Sequence, residues 1–200
     1  MVEEILAFNR WSLQGVTIED EGLKSAICLT PRIVPRTGGK AAKFRFHKTD
    51  VFVVERFINR LMTTGHRAKK HKITSGHQTG KGNTVYNIMV KTLELIEKKM
   101  NMNPVEVLIK AVEYAAPREE IITIEYGGAK YPKAVECAPQ RRVDQAIKLM
   151  SQLAYHKSFN TRKSMVDTLA QEIMDAYEMK PTSGAIAKKL ELERQADSSR

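Results

Sequence analysis

Apolar residues recur at helical spacing along most of this chain. Val51, Val54, Ile58, Leu61 and Met62 fall three or four apart, and Gly65 is placed to stop the helix they predict. A second helix is expected from about Thr84, with Val85, Ile88, Met89, Leu95 and Ile96 inward. Asn103, Pro104 and Glu106 read as N-cap, first-turn proline and capping-box acid of a third, whose inner face is Val105, Leu108, Ile109, Val112 and Ala116; Pro117 marks its end. The period then changes. Residues 121–126 and 129–137 are rich in β-branched residues and flank Gly127-Gly128, which predicts a β-hairpin with a diglycine turn. Helix resumes near Pro139, with Val143, Ala146, Ile147, Met150 and Leu153 inward. Ser164 and Asp167 open another, carrying Val166, Leu169, Ala170, Ile173 and Tyr177. The stretch 185–197 has a thin apolar stripe among mixed charges and reads as a weakly packed last helix.

The expected fold class is all-α: a bundle of about six helices with a protruding β-hairpin arm at 121–137. A lone hairpin is marginal in water, so the arm must lean on the helices or on a partner. Two regions follow, an extended N-terminal extension over 1–48, basic from 24, and a helical domain over 49–200.

Charge changes the picture. The 200 residues carry a net +10. Seven cations and no acid lie in residues 24–48: Lys24, Arg32, Arg36, Lys40, Lys43, Arg45 and Lys48. Five more, again without an acid, lie in 65–83: Arg67, Lys69, Lys70, Lys72 and Lys81. Outside these segments the chain is net −2. Both segments are broken by glycine or proline, which leaves an adaptable backbone. Acid-free flexible segments that order on phosphate are an RNA-binding device, and a polyanionic partner is the expectation. Residues 1–48 are accordingly expected to be largely disordered until RNA binds. Within the first segment, Phe44 and Phe46 alternate with Lys43, Arg45 and Lys48. Two readings stand: the rings anchor the extension on the core, or they stack on bases while the cations track phosphates.

Catalytic chemistry finds no support. The loop Gly76-His-Gln-Thr-Gly80-Lys81-Gly82 has three residues between its glycines and a glycine after its lysine, where a phosphate-binding loop needs four and a Ser or Thr. His66, His71 and His77 match no common zinc spacing. Glu119 and Glu120 are adjacent on a strand and point apart. No cofactor is expected. Cys28 and Cys137 form neither a disulfide framework nor a metal pair, no run approaches the roughly 18 apolar residues of a membrane span, and the start lacks the basic head of a secretory signal. A cytoplasmic protein with no membrane partner is expected. A DNA-binding helical regulator is the alternative, disfavoured because the cations sit in glycine-rich segments and not on a recognition helix.

The run Asn103-Pro-Val-Glu-Val-Leu-Ile, then Ala111-Val-Glu-Tyr-Ala-Ala-Pro-Arg-Glu-Glu, then Gly127-Gly-Ala-Lys-Tyr-Pro-Lys-Ala-Val-Glu-Cys-Ala-Pro-Gln-Arg-Arg resembles the signature of the small-subunit ribosomal protein seven family. Phe8-Asn-Arg-Trp, Pro31-Arg-Ile-Val-Pro-Arg-Thr-Gly-Gly and the ending Glu191-Leu-Glu-Arg-Gln-Ala-Asp-Ser-Ser-Arg resemble its archaeal and eukaryotic branch, with an archaeal source favoured. The resemblance implies a non-enzymatic constituent of the small ribosomal subunit that binds the 3′ major domain of 16S-type rRNA and nucleates assembly of the head. It places neighbouring head proteins, the exit-site tRNA and the mRNA path close by, with no functional homo-oligomer. By position, the cations of both basic segments (Arg32, Arg36, Lys40, Lys43, Arg45, Lys48, Arg67, Lys69, Lys70, Lys72 and Lys81), with Arg118, Arg141 and Arg142, would meet rRNA. The arm, with Tyr126, Gly127, Gly128, Lys130 and Lys133, would lie near tRNA and mRNA. Its first strand, Ile121-Ile-Thr-Ile-Glu, carries no cation, which leaves Lys130 and Lys133 as the phosphate contacts there.

Overall fold

The computed structural model describes residues 5–37, 43–65 and 80–200. Among them are six α-helices, α1 Val53–Leu61, α2 Gly82–Met100, α3 Pro104–Ala115, α4 Pro139–Ser158, α5 Met165–Tyr177 and α6 Gly184–Asp197, and one antiparallel pair, β1 Glu119–Tyr126 with β2 Ala129–Glu136. Every helix lies where the apolar spacing puts it.

The ends of the helices follow local chemistry. Asn103 accepts from the amide of Val105 ahead of Pro104, Ser164 accepts from the amide of Asp167, and Ser183 accepts from that of Ile186. Helix α2 closes on Asn101 in the left-handed conformation, φ 53°, a role asparagine tolerates better than other side chains.

Helix α5 is central and packs on α2, α3 and α4; its Leu169, Ala170 and Ile173 are fully buried. It also buries a carboxylate. Glu172 Oε1 accepts from Ser183 Oγ and the Ala185 amide, each at 2.9 Å, while Lys157 Nζ lies 2.5 Å from Oε2. That acid fixes the start of α6 to α5 and to the end of α4, and its position at a helix N-terminus suits its charge. It also supplies a buried anchor for a helix whose apolar stripe is thin.

Residues 5–37 hold little regular structure, yet they contribute Ala7, Phe8, Trp11, Val16, Leu23, Ala26 and Ile27 to the same buried cluster as the helices. Phe8 meets Trp11 edge-on at 5.7 Å and Tyr86 of α2 at 5.4 Å. Asn103 Nδ2 donates to the Ser12 carbonyl at 2.6 Å, so the residue that caps α3 also holds this segment.

In the hairpin, Gly127 and Gly128 both have positive φ, 56° and 84°, as a two-residue type I′ turn requires. The ladder runs from Glu119↔Glu136 to Tyr126↔Ala129. It starts two residues before the expected 121, and those two glutamates are held at the base, Glu119 by Arg200 and Glu120 by Arg141, pointing apart as adjacent strand residues do. Helix α6 packs on β1, whereas residues 122–133 are exposed on both faces.

Candidate nucleic-acid interface

Between the 3-10 turn His47–Asp50 and the first turns of α4 lies a groove of about 760 Å³. One wall carries Arg45, Phe46, Lys48 and Thr49; the other carries Gln140, Arg141, Asp144, Gln145 and Lys148. Residues 141, 144, 145 and 148 recur at helical spacing, so α4 turns one polar stripe to the groove while Val143, Ala146, Ile147 and Met150 turn to the core. Helix α4 begins at Pro139 with no side-chain cap, leaving first-turn amides at the mouth of the groove, where an anion is favoured. A second groove of about 390 Å³ continues from the first, sharing Lys48, Asp144 and Lys148 and adding Arg56, Asn59 and Arg60 of α1.

Among the described residues, Asp144 is the one acid lining either groove. Its carboxylate is already engaged, by Lys48 Nζ at 2.9 Å and by the buried Arg56 at 3.0 Å. Arg56 also donates to the Ala26 carbonyl at 2.6 Å, which ties the N-terminal segment to α1. Burial, then the like charges of Arg60 and Arg141, hold the Lys148 ammonium below the ordinary lysine range. Burial pulls Arg60 down as well, with Asp144 opposing it, and its Nε has no hydrogen-bond partner. Cations that crowd one another in this way gain from an added anion.

The expected contact residues divide. Arg45, Lys48 and Arg141 meet in the first groove; Arg141 also pairs with Glu120 at 2.5 Å. Arg36 donates to Asn83 at the start of α2, which brings the two basic segments together beside the exposed Lys81. Arg32, Lys43 and Arg118 are exposed, as are Tyr126, Lys130 and Lys133 on the hairpin. Lys40, Arg67, Lys69, Lys70 and Lys72, with the three histidines weighed as metal ligands, lie outside the described residues.

Arg142 departs from its expected place. It is buried, its Nε donates to the Pro117 carbonyl at 3.2 Å, and its Nη2 pairs with Asp20 at 2.7 Å. The Arg142 guanidinium holds the Asp20 carboxyl below the usual aspartate value. One step along a helix turns a side chain by about 100°, so adjacent arginines face different sides. The anchoring reading of Phe44 and Phe46 is also corrected: both rings are exposed, 71% and 64%, with Phe44 edge-on to His47 at 4.8 Å.

Arg60 and Lys148 escaped the sequence reading, because each sits in a helix of mixed charge and neither lies in an acid-free run. The signal for Lys148 was its spacing: it stands seven residues, two helical turns, after Arg141. Among the described residues no cluster of potential metal ligands occurs, and no helix is long and apolar enough to cross a membrane.

Comparison with known proteins gives this arrangement its context. The family model "Ribosomal protein S7p/S5e" matches residues 23–200. Proteins named small ribosomal subunit protein uS7 are similar over almost the whole chain. That of Nanoarchaeum equitans is 51% identical over 193 residues, covering 96% of this chain and 98% of the relative. That of Archaeoglobus fulgidus is 41% identical over 198 residues, covering 99% and 96%. That of Methanothermobacter thermautotrophicus is 42% identical over 193 residues, covering 96% and 98%. All three are archaeal, in keeping with the branch that the N-terminal extension implied. On the extent of these matches, the chain belongs to the ribosomal protein S7p/S5e family.

Proposed function

We propose that this protein is a structural, non-enzymatic constituent of the small ribosomal subunit in the cytoplasm. In this reading it binds the 3′ major domain of 16S-type rRNA directly and nucleates assembly of the head. Family membership supports the ribosomal role, since the archaeal relatives carry the small-subunit name. The observation that carries the RNA contact is the pair of adjoining grooves, where cations from three separate stretches converge and the one acid is already neutralised.

The helices act as a rigid scaffold, while the grooves and basic segments neutralise phosphates where rRNA strands meet. The contact set is Arg32, Arg36, Lys43, Arg45, Lys48, Arg60, Lys81, Arg118, Arg141 and Lys148, joined by Lys40, Arg67, Lys69, Lys70 and Lys72. Arg142 serves the interior instead. Within the N-terminal extension, residues 5–27 dock on the helical body and residues 43–48 are offered to RNA. The hairpin, with Tyr126, Gly127, Gly128, Lys130 and Lys133, reaches toward the exit-site tRNA and the mRNA path, and neighbouring head proteins cover the remaining faces.

The test is competition binding to the 3′ major domain, with duplex DNA and unrelated structured RNA as competitors, over a salt series. Neutralising about six to eight phosphates gives a slope of log K against log salt of about −5. Preference for the rRNA domain at moderate salt is the expected result. A slope shallower than about −2, or equal loss to every competitor, would sink the model; preference for duplex DNA would favour the helical regulator.

A further inference from the structure

Phe46 stands on the wall of the larger groove with 64% of its surface exposed. A ring with this much of its surface in water gains little from burial, so packing contributes only weakly to its place. The Arg45 guanidinium lies over one face of the ring, 5.5 Å from its centroid, which leaves the other face for a ligand, and Arg141 and Lys148 also line the groove. A flat apolar surface facing cations matches a ligand with a π-face at one end and an anionic group at the other. We propose that this wall of the groove seats one unpaired nucleotide of RNA, its base stacked on Phe46 and its phosphates held by Arg141 and Lys148.

The chemistry selects this occupant. An acidic peptide or an anionic lipid headgroup would use the cations but leave the ring idle. A paired base presents its faces only to its neighbours in the stack, so a duplex cannot offer one to the ring. A volume of about 760 Å³ suits a single small organic group, within the roughly 300–1,000 Å³ of small-molecule sites. Base–aromatic stacking also tolerates any base, so this seat fixes the path of a strand and does not read its sequence. Phe44, which is more exposed but does not line the groove, serves as the internal control.

The proposal rests on the reading of the groove as an RNA contact, and the experiment separates the two. The full chain is titrated with an unstructured ten-nucleotide RNA and with the same strand annealed to its complement. Phe46→Ala is expected to weaken single-strand binding about tenfold with an unchanged salt slope, to leave duplex binding unaltered, and to keep the wild-type melting temperature. Phe44→Ala should change neither. In Phe46→Trp, the single strand should quench the new indole and the duplex should not; Trp11 is buried and contributes a constant background. Unchanged single-strand binding by Phe46→Ala, or an equal loss for strand and duplex, overturns the nucleotide seat. If Arg141→Gln and Lys148→Gln weaken binding while Phe46→Ala does not, the seat alone fails. If all three bind as the wild type does, the groove itself is not the RNA contact.

Discussion

Residues 5–27 and residues 43–50 are both irregular stretches ahead of the first α-helix, each containing one short 3-10 turn, yet they are built for opposite surroundings. The first buries Phe8 and Trp11 in the helical core; the second holds Phe44 and Phe46 in solvent. Their charge differs in the same sense. Residues 5–27 mix acids and bases, and Asp20 there pairs with Arg142 of α4, whereas 43–50 sets three cations against the single acid Asp50. Absence of regular structure therefore says little about whether a segment belongs to the body. What decides is whether its apolar side chains find a covered site and whether its charges find partners within the protein.

Substitution of one aromatic in each stretch should separate them most. Trp11→Ala removes a buried ring and should lower unfolding free energy by about 3–5 kcal/mol, read from a denaturant midpoint at constant slope. Phe44→Ala should stay within about 0.5 kcal/mol of wild type. Equal effects of the two would erase the distinction.

The neighbouring arginines of α4 repeat the contrast at the scale of one residue. Arg142→Ala leaves Asp20 without its cation and should destabilise by about 2 kcal/mol, less than a fully buried pair because Asp20 keeps some solvent. Arg141→Ala should barely move stability while weakening RNA binding. The difference depends on pH with a definite sign. The folded carboxyl of Asp20 is held below its ordinary 3.8, so its contribution is fully present above that value and is lost as pH falls through the lower folded one. Stability curves of wild type and Arg142→Ala should therefore begin to converge as pH falls below 3.8 and continue to close through the lower folded value; a gap that stays constant throughout would mean that packing, not charge, dominates.

These contrasts also mark what the sequence could convey. Helix positions were legible because each core face repeats at 3.6 residues and several caps are standard, as at Asn103 and Ser164. The diglycine turn located the hairpin for the same kind of local reason. The burial of Ala7, Phe8 and Trp11 was not legible, since a docked irregular segment has no period and its partners, Tyr86 and Asn103, lie far along the chain. The burial of Arg142 was not legible because a paired arginine and a free one are spelled alike; only the third dimension supplies Asp20, 122 residues away. The groove was half visible: Arg45 and Lys48 stood out in an acid-free run, while Arg60 and Lys148 were hidden among helical charges of both signs.

Amide exchange sharpens the comparison without mutation. In both stretches amides are bonded locally: Ala26 and Ile27 donate to the Leu23 carbonyl, and His47 and Thr49 to the carbonyls of Phe44 and Phe46. Buried neighbours surround only the first pair. The free protein should therefore protect Ala26 and Ile27 well above His47 and Thr49, and RNA should narrow the gap by slowing the latter two. Uniform fast exchange through residue 50 would instead support the expectation that residues 1–48 order only on RNA.

The smallest effect concerns the charge on one lysine in the groove. Lys148 is held below the ordinary 10.5 first by burial and then by Arg60 and Arg141. The groups lining the groove around it include Lys48 and Asp144, the latter occupied by Lys48 and Arg56, so among the described residues no free acid lines the groove to offset the crowding. A phosphate placed there favours the ammonium form and raises the value again. Binding then takes up a proton when the pH lies between the free and bound values. Affinity should accordingly fall as pH rises through the lowered value toward 10.5, by at most about tenfold for each unit separating the free and bound states. Lys148→Arg keeps its charge throughout and should flatten that limb, whereas Lys148→Gln should bind more weakly below that range and show no slope, so that wild type falls toward it as pH rises. A 2′-O-methyl RNA probe survives the alkaline range. Burial raises Tyr155 and Cys137 as well, and because Lys148→Arg leaves both in place, the comparison with wild type separates their titration from that of Lys148. An identical slope in wild type and Lys148→Arg would show that phosphate does not reach Lys148, and would move the RNA path to the Arg45 and Arg141 end of the groove.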